Sequence, residues 1–304
     1  MKGTYRPYGE RRPDNQYKDL IRAILKDGIK SPSPMVDENG KPVNTIDLLG
    51  APVIRFDILK NGAPFLTERA IKFWRTPIGE MLGFINGAKD QAELEKFGCK
   101  WWKTWCTEKK CAKRGLETGE LGPGSYGAAF AEFPTAEGKT FNQFAEIIQQ
   151  MQERPELKTH FITPWIPQYT IRNRNHQQKV VVCPCHGWMH FRILNNKLNL
   201  VLFQRSCDVL IGCPSNWIQY SALLLAMSEV LDLEPGEFIH MISDAHIYEN
   251  QLPWVETILE RESKPFPTLT ITNSHDSIFD YRIEDFAVSD YEPHEAIKGI
   301  PVAV

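Results

Sequence analysis

An α+β fold is what this sequence predicts, on three observations: a β-rich centre spanning residues 178 to 212, helix-period segments on both sides of it, and no G-x-G-x-x-G or P-loop pattern that would mark a βαβ array. Near the N-terminus, "YKDLIRAILKDG" places Leu20, Ile21, Ile24 and Leu25 on one helical face and ends at Gly28. The next stretch, "IKSPSPMVDENGKPVNT", consists of turn formers and reads as a mobile loop ahead of the strand-like "APVIRFDIL". "PIGEMLGFING" and "FNQFAEIIQQMQERPEL" read as helices, the second stopping before Pro155. In the centre, "QKVVVCPCHGWMHFRILNNKLNLVLFQRSCDVLIG" alternates β-branched and aromatic residues on both sides of "NNK", which predicts a strand into the cysteines and then a hairpin. "SNWIQYSALLLAMSEVLDLEPG" predicts a helix with Ser215 or Asn216 near its N-cap and Pro235-Gly236 beyond its end, and "EFIHMISDAHIY" predicts one more strand.

With 304 residues, 42% hydrophobic and 24% charged, the chain can bury a large core. It shows no repeat, low-complexity run or Gly/Ser linker, so residues 1–304 are expected to form a single domain. The longest apolar runs, such as "SALLLAM", fall far short of the roughly 20 residues of a membrane helix. The N-terminus is polar, unlike a signal peptide, so a cytoplasmic protein with no membrane association is expected. Seven cysteines in a chain this large read as reduced thiols rather than a disulfide framework. A net charge of −3 argues against a protein whose main task is to wrap DNA or RNA, while leaving room for a small anionic ligand.

The stretch "VVVCPCHGWMHF" sets two cysteines and two histidines into an apolar run. A structural zinc site would join Cys183 and Cys185 to His186, His190 or the pair Cys106 and Cys111, but the usual hook is C-x₂₋₄-C, not the single-residue spacing around Pro184. We therefore expect no metal. Cys183 reads as a small apolar filler. Cys185 differs, because the hairpin after it returns to "QRSCD", and a guanidinium such as Arg205 would stabilise the thiolate that nucleophilic catalysis needs.

The ordered set "PCH" (184 to 186), "QRSCD" (204 to 208), "GCPSN" (212 to 216), "SDAHIY" (243 to 248) and the C-terminal "PVAV" resembles thymidylate synthase and the related pyrimidine nucleotide hydroxymethylases. The resemblance extends upstream through "RFDI", "PFLTER", "GEMLGFING", "WWKTW" and "GELGPGSYG", covering nearly the whole chain. It implies a central mixed β-sheet flanked by helices, a homodimer, a pyrimidine nucleoside monophosphate substrate and 5,10-methylenetetrahydrofolate as co-substrate; the charge balance adds the expectation of no DNA partner. It also implies that Cys185 adds to C6 of the pyrimidine, turning C5 into a nucleophile for the one-carbon unit. By the same resemblance, Arg205 and Ser206 hold the phosphate, His186 lies at the substrate, Asn216 reads the N3/O4 edge, and His246 with Tyr248 binds the 3′-hydroxyl. Glu80 relays protons, Tyr126 sits near the departing C5 proton, and Trp102, Asp208, Arg69 and the closing C-terminus at Val304 line the folate pocket. Asp208 and Asn216 count among the catalytic residues as well. Taken singly, each has a structural alternative: Glu80 as a solvated helix residue, Trp102 and Trp105 as core aromatics, His246 as a satisfied strand histidine.

The departures from the family pattern are specific. The arginine-bearing loop after the first helix is replaced by "KSPSPMVDENGKPVNT", leaving Lys30 or Lys41 as its cations. The paired arginines that a partner subunit sends to the phosphate stand here as Lys158-Thr159, and lysine supplies charge without a bidentate fork. The segment "CTEKKCAKRGLETGELGPGSYG" is also altered around the tyrosine. Because hydride transfer needs a dry, closely stacked folate and these changes surround that space, the sequence leans to hydroxymethylation, with dUMP favoured over CMP or dCMP; the alternative is a divergent thymidylate synthase making dTMP and dihydrofolate. A nucleotide-binding regulator without catalysis would have lost Cys185 or Tyr126, and both are present.

Overall fold

Alternation sets the inner face of the main sheet. In the strand Trp188–Leu194, Met189 and Phe191 point inward, and in Lys197–Gln204, Leu198, Leu200 and Leu202 do the same. The two pair antiparallel through a tight turn at Asn195 and Asn196, both at positive φ, which asparagine tolerates best after glycine. The computed structural model describes residues 2–37 and 39–303. Its five-stranded sheet runs, in spatial order, Ile54–Asp57, Glu234–Ile242, Lys197–Gln204, Trp188–Leu194 and Phe161–Ile162; the second and third pair in parallel and the other neighbours antiparallel.

The parallel pair needs a crossover, and the helix Gly212–Val230 supplies it. This helix is apolar on all sides because it is covered on all sides: the sheet lies against one flank and the helix Arg75–Ile85 against another. The buried cluster continues from Tyr17 through Trp217 to Phe286, so the mixed α+β architecture with a helix-flanked mixed sheet is as expected.

Four sequence expectations are corrected. "VVVC" is not a strand: residues 178 to 187 are irregular, with Val181 donating its N–H to the Leu121 carbonyl and Gly187 turning the chain at φ 100°. A Cβ at Gly187 would approach Phe130 Cζ to 3.1 Å, so glycine is required by both the angle and the space. The supposed loop after the first helix (Gln16–Asp27) has paired ends, Ile29–Ser31 against Thr45–Asp47. The long helix begins at Gly212, ahead of Ser215, because the Asp208 carboxylate accepts the N–H groups of Leu210 and Ile211 just before it. Finally, "EFIHMISDAHIY" contributes to two strands in different sheets, Glu234–Ile242 and Asp244–Tyr248.

That last division positions the site. The second sheet has the order Ile29–Ser31, Thr45–Leu49, Asp244–Tyr248, Cys207–Asp208. The chain therefore leaves the first sheet twice, at Arg205–Ser206 and at Ser243, and the Ser243 N–H bonds the Gln204 carbonyl across the split at 2.9 Å. The Cys185 turn docks here through its own carbonyl, which accepts the Arg205 N–H at 2.8 Å. Among the described residues no helix is long and apolar enough to cross a membrane.

Candidate active site

The split between the sheets opens a cavity of about 1360 Å³, walled on its inner side by Cys185, Arg205, Ser206, His246 and Tyr248. Its size accommodates two small-molecule ligands side by side. Arg205 holds the cysteine turn rigid: its Nε donates to the Pro184 carbonyl, and its Nη2 to the Cys183 carbonyl and to Cys185 Sγ, the last at 3.4 Å. Burial pushes the Cys185 thiol above its ordinary range and the guanidinium pulls it back toward the thiolate. The Cys185 N–H donates to the Tyr126 hydroxyl at 2.7 Å, so that phenol lies directly against the reactive turn.

Behind the thiol stands an aromatic wall. Tyr126 is stacked between Phe84 and His186, each with a centroid 4.7 Å away, and Phe84 meets the edge of Trp102. His186 Nδ1 lies 2.6 Å from the Tyr220 hydroxyl.

A continuous chain of buried polar groups runs beneath this wall. Trp217 Nε1 donates to His240 Nδ1, which makes His240 Nε2 the protonated nitrogen facing Gln204 Oε1. Gln204 Nε2 donates to Asn216 Oδ1, Asn216 Nδ2 to Gln219 Oε1, and Gln219 Nε2 to Glu80 Oε2. The other Glu80 oxygen accepts from the indoles of Trp101 and Trp102. Glu80 enters this arrangement because Gly79 lets its helix touch the neighbouring chain: a Cβ there would sit 1.9 Å from the Phe97 carbonyl oxygen. Burial raises the Glu80 carboxyl, and its three donors oppose that rise. An indole N–H cannot accept, so the chain has one polarity, and Asn216 keeps a lone pair on Oδ1 and one N–H on Nδ2 for a ligand.

Burial, then the Arg205 charge, lowers His186 to about 3, and burial, then His186, lowers His240 to about 3. Both are neutral when folded. The unfolded chain binds more protons below the ordinary histidine value, so stability is full above about pH 6.5 and is lost as pH falls toward 3. Urea denaturation at pH 4.5 should show a loss of about 2–3 kcal/mol per imidazole relative to pH 7, and His240→Gln should remove its share of that pH dependence.

The remaining sequence candidates fall as follows. Asp208, like Asn216, Glu80, Tyr126, His186 and Trp102, does not line the open cavity; besides holding the Leu210 and Ile211 N–H groups ahead of the long helix it accepts from Gln251 Nε2, which also donates to the Pro301 carbonyl and ties the C-terminal segment to the site. Arg69 is buried beside it, donating Nη2 to the Leu210 carbonyl, and its Nε has no partner among the described residues. Ala303 packs on Val43 and Tyr248, whereas Val304 lies outside the described residues. Lys158 does not line the cavity of its own chain, and neither do Lys30, which pairs with Glu249, and Lys41. Among the described residues the one converging set of metal-type ligands is Asp47, Asp244 and His246, which includes no cysteine.

Sequence reasoning passed over Trp101, Gln204, Gln219, His240 and Gln251. Gln219 could have been found, since it follows Asn216 by three positions on one helix face.

Residues 15–304 match the family model described as thymidylate synthase. The chain is also similar to a protein named thymidylate synthase from Rhodopseudomonas palustris (strain BisA53), with 34% identity over 309 residues, covering 95% of this chain and 98% of the relative.

Proposed function

Since this chain belongs to the thymidylate synthase family, we propose that it methylates C5 of deoxyuridine 5′-monophosphate, giving the thymine nucleotide and dihydrofolate. Membership makes it a folate-dependent one-carbon transferase of nucleotide biosynthesis, with 5,10-methylenetetrahydrofolate as co-substrate supplying the carbon. The observation that carries the reading is the Cys185 thiol held by Arg205 beside a buried chain that fixes the Asn216 amide. The free lone pair and free N–H of Asn216 complement N3–H and O4 of uracil; cytosine offers neither in those places.

In this reading the Cys185 thiolate adds to C6, charge moves to O4, and Asn216 with the Glu80 system stabilises it there. The Tyr126 hydroxyl, fixed against the Cys185 N–H, stands where the C5 proton departs. Asp208, Arg69 and Trp102 fit the folate side: a half-buried carboxylate, a buried guanidinium whose Nε is unused among the described residues, and an indole. Reduction to a methyl group is supported by the buried aromatic set of Trp102, Phe84, Tyr126 and His186 packed behind Cys185, an apolar backing suited to hydride transfer. Of the altered segment 106–127, Lys109, Lys110, Lys113 and Arg114 line the cavity, and Tyr126 itself is packed in that aromatic set.

Hydroxymethylation, toward which the sequence leans, is the second reading; the breadth of the opening in front of Cys185 favours it, since a water molecule can enter. Incubation with dUMP and methylenetetrahydrofolate separates them. A methyl product with one dihydrofolate formed per turnover is expected. A product heavier by one oxygen, without dihydrofolate, would overturn the synthase in favour of the second reading.

The functional unit in this proposal is a homodimer. The outer face of the five-stranded sheet carries Phe161, Trp188, Phe203 and Met241, apolar and partly or fully exposed, in the manner of an obligate interface. Lys158, whose carbonyl lies 3.1 Å from His190 Nε2 on that face, then reaches toward the second subunit.

A further inference from the structure

The outer wall of the same cavity is strongly cationic. Two segments build it, one around Lys109, Lys110, Lys113 and Arg114, the other around Arg172 and Arg174. None of these six pairs with a carboxylate within 4 Å among the described residues, and the acidic residues lining the cavity, Asp47 and Asp244, lie beside His246.

The two segments are fastened to each other. Gln177 Nε2 donates to the Lys113 carbonyl, Arg114 Nε to the Val180 carbonyl, and Arg114 Nη1 to the Lys110 carbonyl. The second segment is braced from below by His176, whose Nε2 is 2.8 Å from the Gln168 carbonyl. Lys110 lies over the Trp105 ring at 4.7 Å. Hydrogen bonds thus hold like charges together: Arg114 is depressed by burial and then by Arg172. The charges of Arg205, Arg114 and Arg172 all act on the Cys183 thiol, two residues from Cys185, so the lobe adjoins the reactive turn.

Such an arrangement costs free energy in the empty protein and is relieved by an anion. Arg205 cannot meet a dianion alone, because its Nε and Nη2 are already committed to the cysteine turn. Arg172 and Arg174 have exposed guanidinium forks, uncommitted among the described residues and suited to tetrahedral oxyanions.

We infer that this lobe, and chiefly Arg172 and Arg174, grips the 5′-phosphate of the pyrimidine nucleotide from within the same chain. The inference rests on the nucleotide reading above and adds residues to it that lie far from the phosphate-binding motif at Arg205. It makes phosphate recognition a property of each subunit, with selectivity for nucleotide over nucleoside set by segments 105–114 and 172–178.

The test is titration calorimetry of the full chain with dUMP, deoxyuridine and inorganic phosphate, without folate, followed by steady-state kinetics. In the double variant Arg172→Ala/Arg174→Ala the Kd for dUMP should rise about tenfold or more, with deoxyuridine binding unchanged and kcat within about threefold. The steepness of the salt dependence of dUMP binding should fall. Lys139→Ala, an exposed control outside the cavity, should change none of these. An unchanged dUMP Kd overturns the lobe. A loss confined to the KM of methylenetetrahydrofolate overturns it too, assigning the cations to folate carboxylates instead. Wild-type protein that binds dUMP no better than deoxyuridine would overturn the nucleotide reading itself, a result distinct from unchanged variants.

Discussion

Replacing Cys185 by serine is expected to lower turnover by roughly 10⁴-fold or more, with the Kd for dUMP changed by less than about threefold. The asymmetry follows from the geometry. Arg205 is held chiefly by the Pro184 and Cys183 carbonyls, so it stays in place when the sulfur goes. Tyr126 keeps its bond because the donor is the main-chain N–H of residue 185. Binding groups are thereby preserved while the nucleophile becomes a hydroxyl without a base to activate it. Stopped turnover with intact calorimetric binding is the expected pair of results, and turnover near the wild-type value would remove Cys185 from the proposed role.

Glu80→Gln should lower kcat by roughly 10²–10³-fold and cost about 1–3 kcal/mol of stability. Three donors converge on this carboxylate, from Trp101, Trp102 and Gln219. A carboxamide can face only one side of that set with oxygen and must turn its N–H₂ toward the other, leaving donors opposed in a buried site. Gln219→Leu tests the same chain from the opposite end: it frees one Glu80 oxygen and the Asn216 N–H, and the smaller kcat loss should come with weaker selection of dUMP over dCMP. If Glu80→Gln leaves kcat unchanged while its thermal midpoint falls, the carboxylate is structural only.

Much of this was legible before folding. The core helix 212–230 announces itself by apolar residues in every direction, and Cys185, Arg205 and Asn216 lie in short motifs whose order carries them to one place. The separation of the two sheets was not legible, because "EFIHMISDAHIY" carries no glycine or proline to mark a break. The division is made at Ser243 by long-range main-chain bonds, its N–H to the Gln204 carbonyl and its carbonyl from the Gly50 N–H. "VVVC" misled for a related reason: valines buried in an irregular segment look like valines in a strand, and the difference lies in partners such as Leu121 that are remote in sequence. The cationic lobe was hidden in the same way, its halves joined by the Gln177–Lys113 bond across 64 positions. Charge summed over the chain, at −3, conceals a patch made of residues from two separate segments.

The most direct test of covalent chemistry at C5 is release of tritium from dUMP labelled at that carbon, followed alongside product formation. The account predicts one tritium released to water per product, dependent on methylenetetrahydrofolate and abolished by Cys185→Ser. Product formed with the label retained, or release undiminished in the serine variant, would contradict it.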